Sequence, residues 1–527
     1  MQVQSAKILA VTKLVLVVTS FRLGLGSPAP HGFHKSVVRL SSVHKYGGFM
    51  RRFFALTLAV VGCSQQVPLA STPETPPREL VAAQDSPAVV AQPEPTNPNA
   101  LWVGAATAND AFLPGAQESF LAVWVDVPSA LAAKQAPAAV ALVIDTSGSM
   151  AQGNKIQHAR EAATRLVNNM RDGDIVSLHT FSDEVRERVA PTRLDAHTRQ
   201  RIAGVIAELA AVGGTNLFEG VRAAGFAAMS SPSTHSVRRV VLLSDGNATV
   251  GTTSTEMIGM LGERAADRGV QVTSIGVGLD YNENALNQLA LRSSGRLYHV
   301  TESSGLGEVV ESELALLKST RASGARVAIV PAPGVQLTSV SGARFVSGPN
   351  GSFEIPLGSM FAGQHREFVV RANFNAPLEG SASLASVRLV FSDPNDGNLE
   401  RVQETVARYE ITSDSNVFAA RKNGRAQGVM AMLLASESTR AASVAFDQDD
   451  FSAADKRLAE AEESLRQLAS NAASKEEKVR FQKSAERVAS TRSAGASAAQ
   501  APAAARPAAK RKMSLETNDA AMDFSGF

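Results

Sequence analysis

The chain has 527 residues, 44% of them hydrophobic and only 5% aromatic, and a formal charge of +2. That length exceeds what one hydrophobic core organises and predicts two or three domains. The slight basicity is local: residues 1–62 hold eight Lys or Arg and no acidic residue, leaving 44 basic against 50 acidic residues beyond them, and a mildly acidic body argues against nucleic acid as a partner.

Residues 1–62 read as a targeting region. Met50-Arg51-Arg52, the apolar Phe53–Val61 and Gly62-Cys63 give a charged segment, a short apolar segment and a small residue. The apolar run is too short to span a bilayer. Val60-Val61-Gly62-Cys63 resembles a bacterial lipobox, which implies cleavage before Cys63 and lipidation of its thiol. Cys63 is the only cysteine, so no disulfide forms within the chain; an inert thiol is the alternative. Ser64 beside it implies outer-membrane sorting, with the periplasmic or surface face left open. Met1–Phe49 is expected to be an over-extended gene start, with Met50 the initiator; a long targeting extension is the alternative. Residues 63–99, including the Pro-, Ala-, Thr- and Gln-rich Gln65–Pro98, read as a disordered tether.

Residues 100–137 are expected to supply β-strands that join a later sheet. Phe120–Val127 alternates as a strand should, Pro128 ends it, and Trp124 is expected in a core. The next stretch, Ala139–Met150, reads AVALVIDTSGSM. Its apolar run stops at Asp145, Ser147 and Ser149, as a buried parallel strand does where its carboxyl end meets solvent. Ligands bind at that edge of open α/β sheets. Regular alternation follows. Helices are expected over Lys155–Met170, Asp195–Leu209, Leu217–Met229, Thr255–Arg268, Glu283–Ser293 and Leu306–Lys318. Strands are expected over Ile175–Phe181, Val185–Val189, Val237–Ser244, Val270–Val277 and Arg296–Val300. The fold class is therefore α/β, with a doubly wound, mostly parallel sheet.

The stretch Asp145-Thr146-Ser147-Gly148-Ser149 resembles the first motif of the von Willebrand factor type A (VWA) family, the D-x-S-x-S of its metal-ion-dependent adhesion site. Two further pieces follow in order: Thr215 in Gly213-Gly214-Thr215-Asn216, and Asp245 after the strand Val240–Ser244. The resemblance covers residues 138–319. It implies that Ser147 and Ser149 bind a cation directly, Thr215 directly or through water, and Asp145 and Asp245 largely through water and hydrogen bonds. A site of few carboxylates that keeps its waters suits Mg²⁺, with Mn²⁺ or Ca²⁺ as alternatives. One open coordination position then accepts a Glu or Asp of a protein partner.

Residues 325–412 change to short β-type runs separated by turns such as Pro349-Asn350-Gly351, predicting a β-sandwich-like domain. Residues 416–492 are Ala-, Glu- and Arg-rich and predict helices over Phe418–Phe446, Ala453–Ala469 and Lys475–Arg492. Residues 493–527 read as a low-complexity tail, in which Lys510-Arg511-Lys512 is expected to be solvated.

Catalysis is not expected. A metal-activated water needs a general base, and neither His158 nor His179 is an obvious one. A haloacid-dehalogenase phosphatase would carry a second Asp where this chain has Ser147. The function expected is cation-dependent protein binding on a bacterial envelope. A structural or regulatory assembly factor binding through its sandwich or helices is the alternative, and a Mg²⁺-dependent hydrolase the lesser one.

Overall fold

The computed structural model describes residues 101–129, 135–472 and 474–524. The targeting region, Cys63 with its lipobox, and the 63–99 tether lie outside the described residues, as do residues 525–527.

Three strands open the described chain: β1 (Val103–Thr107), β2 (Ala111–Phe112) and β3 (Gly115–Asp126). An α/β unit follows. Its elements are β4 (Ala138–Asp145), α1 (Lys155–Asn169), β5 (Ile175–Phe181), β6 (Val185–Arg193), α2 (Ala196–Ala207), α3 (Leu217–Met229), β7 (Val237–Ser244), α4 (Thr255–Ala266), β8 (Val270–Val277), α5 (Glu283–Arg292), β9 (Arg296–Val300) and α6 (Leu306–Lys318). They build one six-stranded sheet in the order β6-β5-β4-β7-β8-β9. Edge strand β6 runs antiparallel to β5, and the other neighbours pair in parallel.

β4 is buried along its whole length, as a strand covered on both faces must be. Val140, Leu142 and Ile144 pack toward α1, α2 and α6, while Ala141 and Val143 pack toward α3, α4 and α5. This is the doubly wound sheet expected from the alternation. Winding reverses at β4, with β5 on one side and β7 on the other, so the carboxyl ends of β4 and β7 border the crevice where such sheets bind ligands.

The remaining strands are β10 (Thr320–Pro331), β11 (Gln336–Ser341), β12 (Val346–Ser347), β13 (Phe353–Phe361), β14 (His365–Ala376), β15 (Ser381–Asp393) and β16 (Leu399–Ile411). They form two sheets, β1-β3-β14-β11 and β12-β13-β10-β15-β16-β2, which enclose a common core including Val123, Val327, Phe368 and Leu389. β3 pairs with β14 without a break from Gly115↔Ala376 to Asp126↔His365. The α/β unit is thus inserted into the sandwich. One pair departs from the antiparallel pattern, the short β2 lying parallel to β16.

Five helices end the described chain: α7 (Ser415–Ala420), α8 (Gly424–Asp447), α9 (Phe451–Ser470), α10 (Lys475–Ala499) and α11 (Arg506–Phe524). The single helix expected over Phe418–Phe446 is two. Asn423 restarts it by accepting the Ala426 N–H at 3.0 Å, while its amide donates to Asp110 at 2.8 Å. The tail read as low complexity is largely helical, because its alanines are strong helix formers and α11 has a face to bury. Met513, Ser514, Leu515 and Thr517 are inaccessible, and Ser443 Oγ of α8 donates to the Ser514 carbonyl at 2.8 Å.

A buried ion pair inside the α/β unit lies where that unit meets the sandwich. Arg239, near the start of β7, is 2% exposed and Glu313 of α6 is 0% exposed. Arg239 Nη1 donates to Glu313 Oε2 at 2.6 Å and Nη2 to Gln271 Oε1 at 2.8 Å. Thr273 Oγ1 donates to the same Glu313 oxygen at 2.8 Å. The guanidinium lies over the Phe361 ring of β13, 5.1 Å from its centroid.

Candidate metal centre

Asp145 is the last residue of β4 and has no exposed surface. Its Oδ1 accepts the Ser147 N–H at 2.8 Å and its Oδ2 accepts the Ser244 hydroxyl at 2.7 Å. Burial pushes its carboxyl above the ordinary carboxylate range against these hydrogen bonds, and the Asp245 charge adds to the rise. The Ser147 and Ser149 hydroxyls lie 3.1 Å apart, and Ser149 Oγ donates to Asp245 Oδ1 at 2.7 Å. Asp245 follows the last residue of β7 and is 1% exposed.

Thr215 arrives on a separate loop, laced to the other two by backbone. The Gly148 N–H donates to the Gly213 carbonyl at 2.9 Å, and the Val212 N–H to the Thr146 carbonyl at 2.7 Å. On the far side, the Thr215 N–H donates to Thr249 Oγ1 at 2.9 Å. Gly213 has φ +82°, and a Cβ there would stand 2.2 Å from Asp183 Oδ2; only glycine fits. Asp183 also accepts the Gly214 N–H at 2.9 Å, which fixes the loop.

The structure therefore brings Asp145, Ser147, Ser149, Thr215 and Asp245 into one cluster at the carboxyl edge of the sheet. A Cβ on Gly246 would lie in van der Waals contact, 3.6 Å, with both Ser149 Oγ and Thr215 Oγ1, which places these two hydroxyls on the same side of the cluster. All the donors are oxygens, and no group of three or more His, Cys, Asp or Glu side chains able to hold a metal occurs among the described residues. Three hydroxyls and two carboxylates fit a hard divalent cation that keeps waters, and do not fit a thiolate- or imidazole-bound metal.

Two participants escaped sequence reasoning. Ser244 reads as the end of a strand, yet it holds Asp145. Lys155 Nζ reaches Asp245 Oδ2 at 2.7 Å from the first residue of α1. The two histidines weighed as bases have other roles. His158 Nδ1 hydrogen-bonds Ser303 Oγ at 2.6 Å. His179 lies inside β5, 2% exposed and without a hydrogen-bond partner on either ring nitrogen, and burial holds its imidazole below the ordinary range.

The basic cluster of the tail is a clamp rather than a solvated run. Arg511 Nη1 lies 3.0 Å from Glu283 Oε2, and the guanidinium also donates to the Leu279 and Tyr281 carbonyls at 3.3 Å. Lys510 pairs with Asp449 at 3.0 Å. Arg511 thereby pins α11 to the loop between β8 and α5. Asn247, two residues past Asp245, donates to the Asp280 carbonyl of that same loop at 2.9 Å.

Residues 139–312 match the family model of the von Willebrand factor type A domain. The inter-alpha-trypsin inhibitor heavy chain H4 of Sus scrofa is 32% identical over 173 residues, or 32% of this chain and 19% of that protein. An uncharacterized protein of Synechocystis sp. is 23% identical over 273 residues, 50% of this chain and 64% of that one. The chain thus spans between a fifth and just under two thirds of these relatives' lengths. Among solved structures, a von Willebrand factor type A protein from Catenulispora acidiphila superimposes with a TM-score of 0.59 at 17% identity, over 74% of this chain and 90% of that one. The ArnB paralog VWA2 from Sulfolobus acidocaldarius gives 0.53 at 18% identity, over 80% and 98%. The chain carries a VWA domain, and the overlaps reach well past residues 139–312, so the likeness of fold extends beyond the α/β unit.

Proposed function

We propose that this protein is a divalent-cation-dependent protein-binding module of the bacterial cell envelope, engaging an acidic side chain of its partner at the β4–β7 edge. VWA domains commonly bind protein partners, and bacterial proteins are among the relatives. The observation that carries the proposal is the gathering of three hydroxyls and two carboxylates, from three separate loops, at the carboxyl ends of β4 and β7.

Ser147, Ser149 and Thr215 would hold the cation, Mg²⁺ by preference, and Asp145 and Asp245 would orient them through hydrogen bonds and water. When bound, the cation supplies an electrophilic position for a carboxylate oxygen of the incoming protein. Asp145 fixes the Ser147 backbone, Ser244 fixes Asp145, and Asp245 fixes the Ser149 hydroxyl. The Asp145, Ser147 and Ser149 groups are thus preorganised by second partners, as tight and selective coordination requires. Binding is favoured over hydrolysis because His179 is enclosed and His158 is engaged with Ser303, so neither offers a base at the cluster. Envelope anchoring through a lipid on Cys63 rests on the Val60–Cys63 sequence alone.

A pull-down from detergent-solubilised envelope tests the proposal, using the chain from Cys63 onward with Mg²⁺, with EDTA, and as Ser149→Ala and Asp145→Ala variants checked for folding. A partner retained only by the wild type with Mg²⁺ is the expected result. A partner retained equally in every arm would move binding to the sandwich or helices and sink the metal-bridged contact.

A further inference from the structure

Lys155 is a charged group at the cluster that the coordination scheme does not use. Its side chain is 18% exposed and its ammonium stands 2.7 Å from Asp245 Oδ2. Helix stability does not account for its position. The N-terminus of a helix carries partial positive charge and disfavours a cation, and the first turn of α1 contains no acidic residue. The backbone nevertheless bends to deliver it. Gly153 and Asn154 adopt consecutive left-handed conformations at φ 58° and 59° immediately before it, a region that asparagine enters at less cost than most residues. Across from it, a Cβ on Gly278 would lie 3.7 Å from Lys155 Cε and Nζ, so the ammonium rests against the β8–α5 loop.

The charge balance makes sense of this. Asp145 and Asp245 are both essentially inaccessible, and an uncompensated buried charge is expensive. With Lys155 the metal-free cluster carries one net negative charge instead of two. A divalent cation then leaves the loaded site with one net positive charge, which a single carboxylate from outside neutralises. Without Lys155 the loaded site would already be neutral, and an incoming carboxylate would make it negative.

We propose that Lys155 is the cluster's built-in cation: it compensates Asp245 in the metal-free protein, weakens the hold on the metal, and keeps the loaded site one positive charge above neutral, so that an acidic ligand is required. This rests on the metal-binding function proposed above. The test is calorimetric titration of the full-length protein, stripped with EDTA, using Mg²⁺ and Mn²⁺ alone as probes at low ionic strength. Wild type is compared with K155M, K155R and D145A. A unit charge a few ångströms from a divalent cation at an effective dielectric near 20 changes affinity by about tenfold or more, even after screening. K155M is therefore expected to bind either ion about tenfold more tightly than wild type, and K155R within about threefold of it.

K155M binding equally or more weakly while wild type binds would overturn the role given to Lys155 and leave the metal site standing. No binding by wild type or K155M, matching D145A, would overturn the metal site itself and this inference with it. Binding by K155M alone would support the inference in its strongest form. If stripped K155M does not fold, K155Q is titrated in its place: tighter binding than wild type supports the proposal, and equal or weaker binding overturns it.

Discussion

Strand β7 leads from one ion pair to another, and the two are built for opposite ends. Near its start, Arg239 meets Glu313 within a mesh of Gln271, Thr273 and the Phe361 ring, with both charges sealed from water. Just past its end, Asp245 meets Lys155 through one contact, and the Lys155 side chain stays partly open to solvent. A planar guanidinium with several fixed donors locks geometry, whereas an ammonium on a flexible stem is a point charge that can yield. A buried pair held by several hydrogen bonds keeps its elements in register. A pair at a cleft edge holds a charge in readiness.

The sharpest way to break this contrast is to remove the locked cation. Arg239→Met leaves Glu313 buried and unpaired and is expected to cost about 3–5 kcal/mol, read from urea unfolding. Replacing both partners with apolar residues should recover most of that loss. A cost below about 1 kcal/mol for the single variant would mean that the mesh does not act as a lock.

Acid should act next. His299 bonds Tyr281 and Thr301, and its imidazole is pushed down from 6.5 to about 4 by burial, with the Arg511 and Lys512 charges adding to the effect. The unfolded chain takes up this proton below about pH 6.5 and the folded chain does not. Stability is therefore full above pH 6.5 and falls as the pH drops toward 4, by an amount on the order of 2–3 kcal/mol at 1.36 kcal/mol per pH unit. H299Q should flatten that slope in melts between pH 7 and 4.5, and Arg511→Ala should make it shallower while loosening α11. An unchanged slope in H299Q would assign the acid sensitivity to another group.

The smallest expected stability effect belongs to the hydroxyl–carboxylate cluster. Ser149→Ala removes hydrogen bonds at a partly open position and is expected to cost only about 1 kcal/mol. It should nonetheless abolish the rise in melting temperature on adding Mg²⁺ that the wild type is expected to give. A large loss of stability with the Mg²⁺ response intact would reverse the assignment, making Ser149 structural.

What the sequence made legible follows the same division. The β4 and β7 runs and the five cluster residues stand out because strand burial and loop chemistry are written locally, each within a few consecutive positions. Lys155 did not stand out, because its reach to Asp245 depends on two left-handed residues that no apolar period reveals. Ser244 looked like any strand-end hydroxyl. The α7–α8 break was hidden because Asn423 and Gly424 interrupt an otherwise helical composition, and the cap depends on a contact with Asp110 from the distant N-terminal strands. α11 was missed because Met513, Leu515 and Ala520 are too sparse to mark a face until α8 and the α/β unit are present to cover them. Arg511 looked solvated for the same reason.

The insertion of the α/β unit also dictates an order of events in time. Asp126 and His365 are register partners 239 positions apart, so pairing β3 with β14 from an open chain carries a loop-closure cost on the order of 5 kcal/mol. Prior folding of the α/β unit draws the ends of β3 and β10 together and removes part of that cost. At ribosomal speeds of about 5–20 residues per second, β3 waits roughly 10–50 s for its partner, with one edge of backbone donors and acceptors unsatisfied. The sandwich is therefore the late-forming half of the molecule, and the α/β unit that presents the hydroxyl–carboxylate cluster is also the template on which it closes.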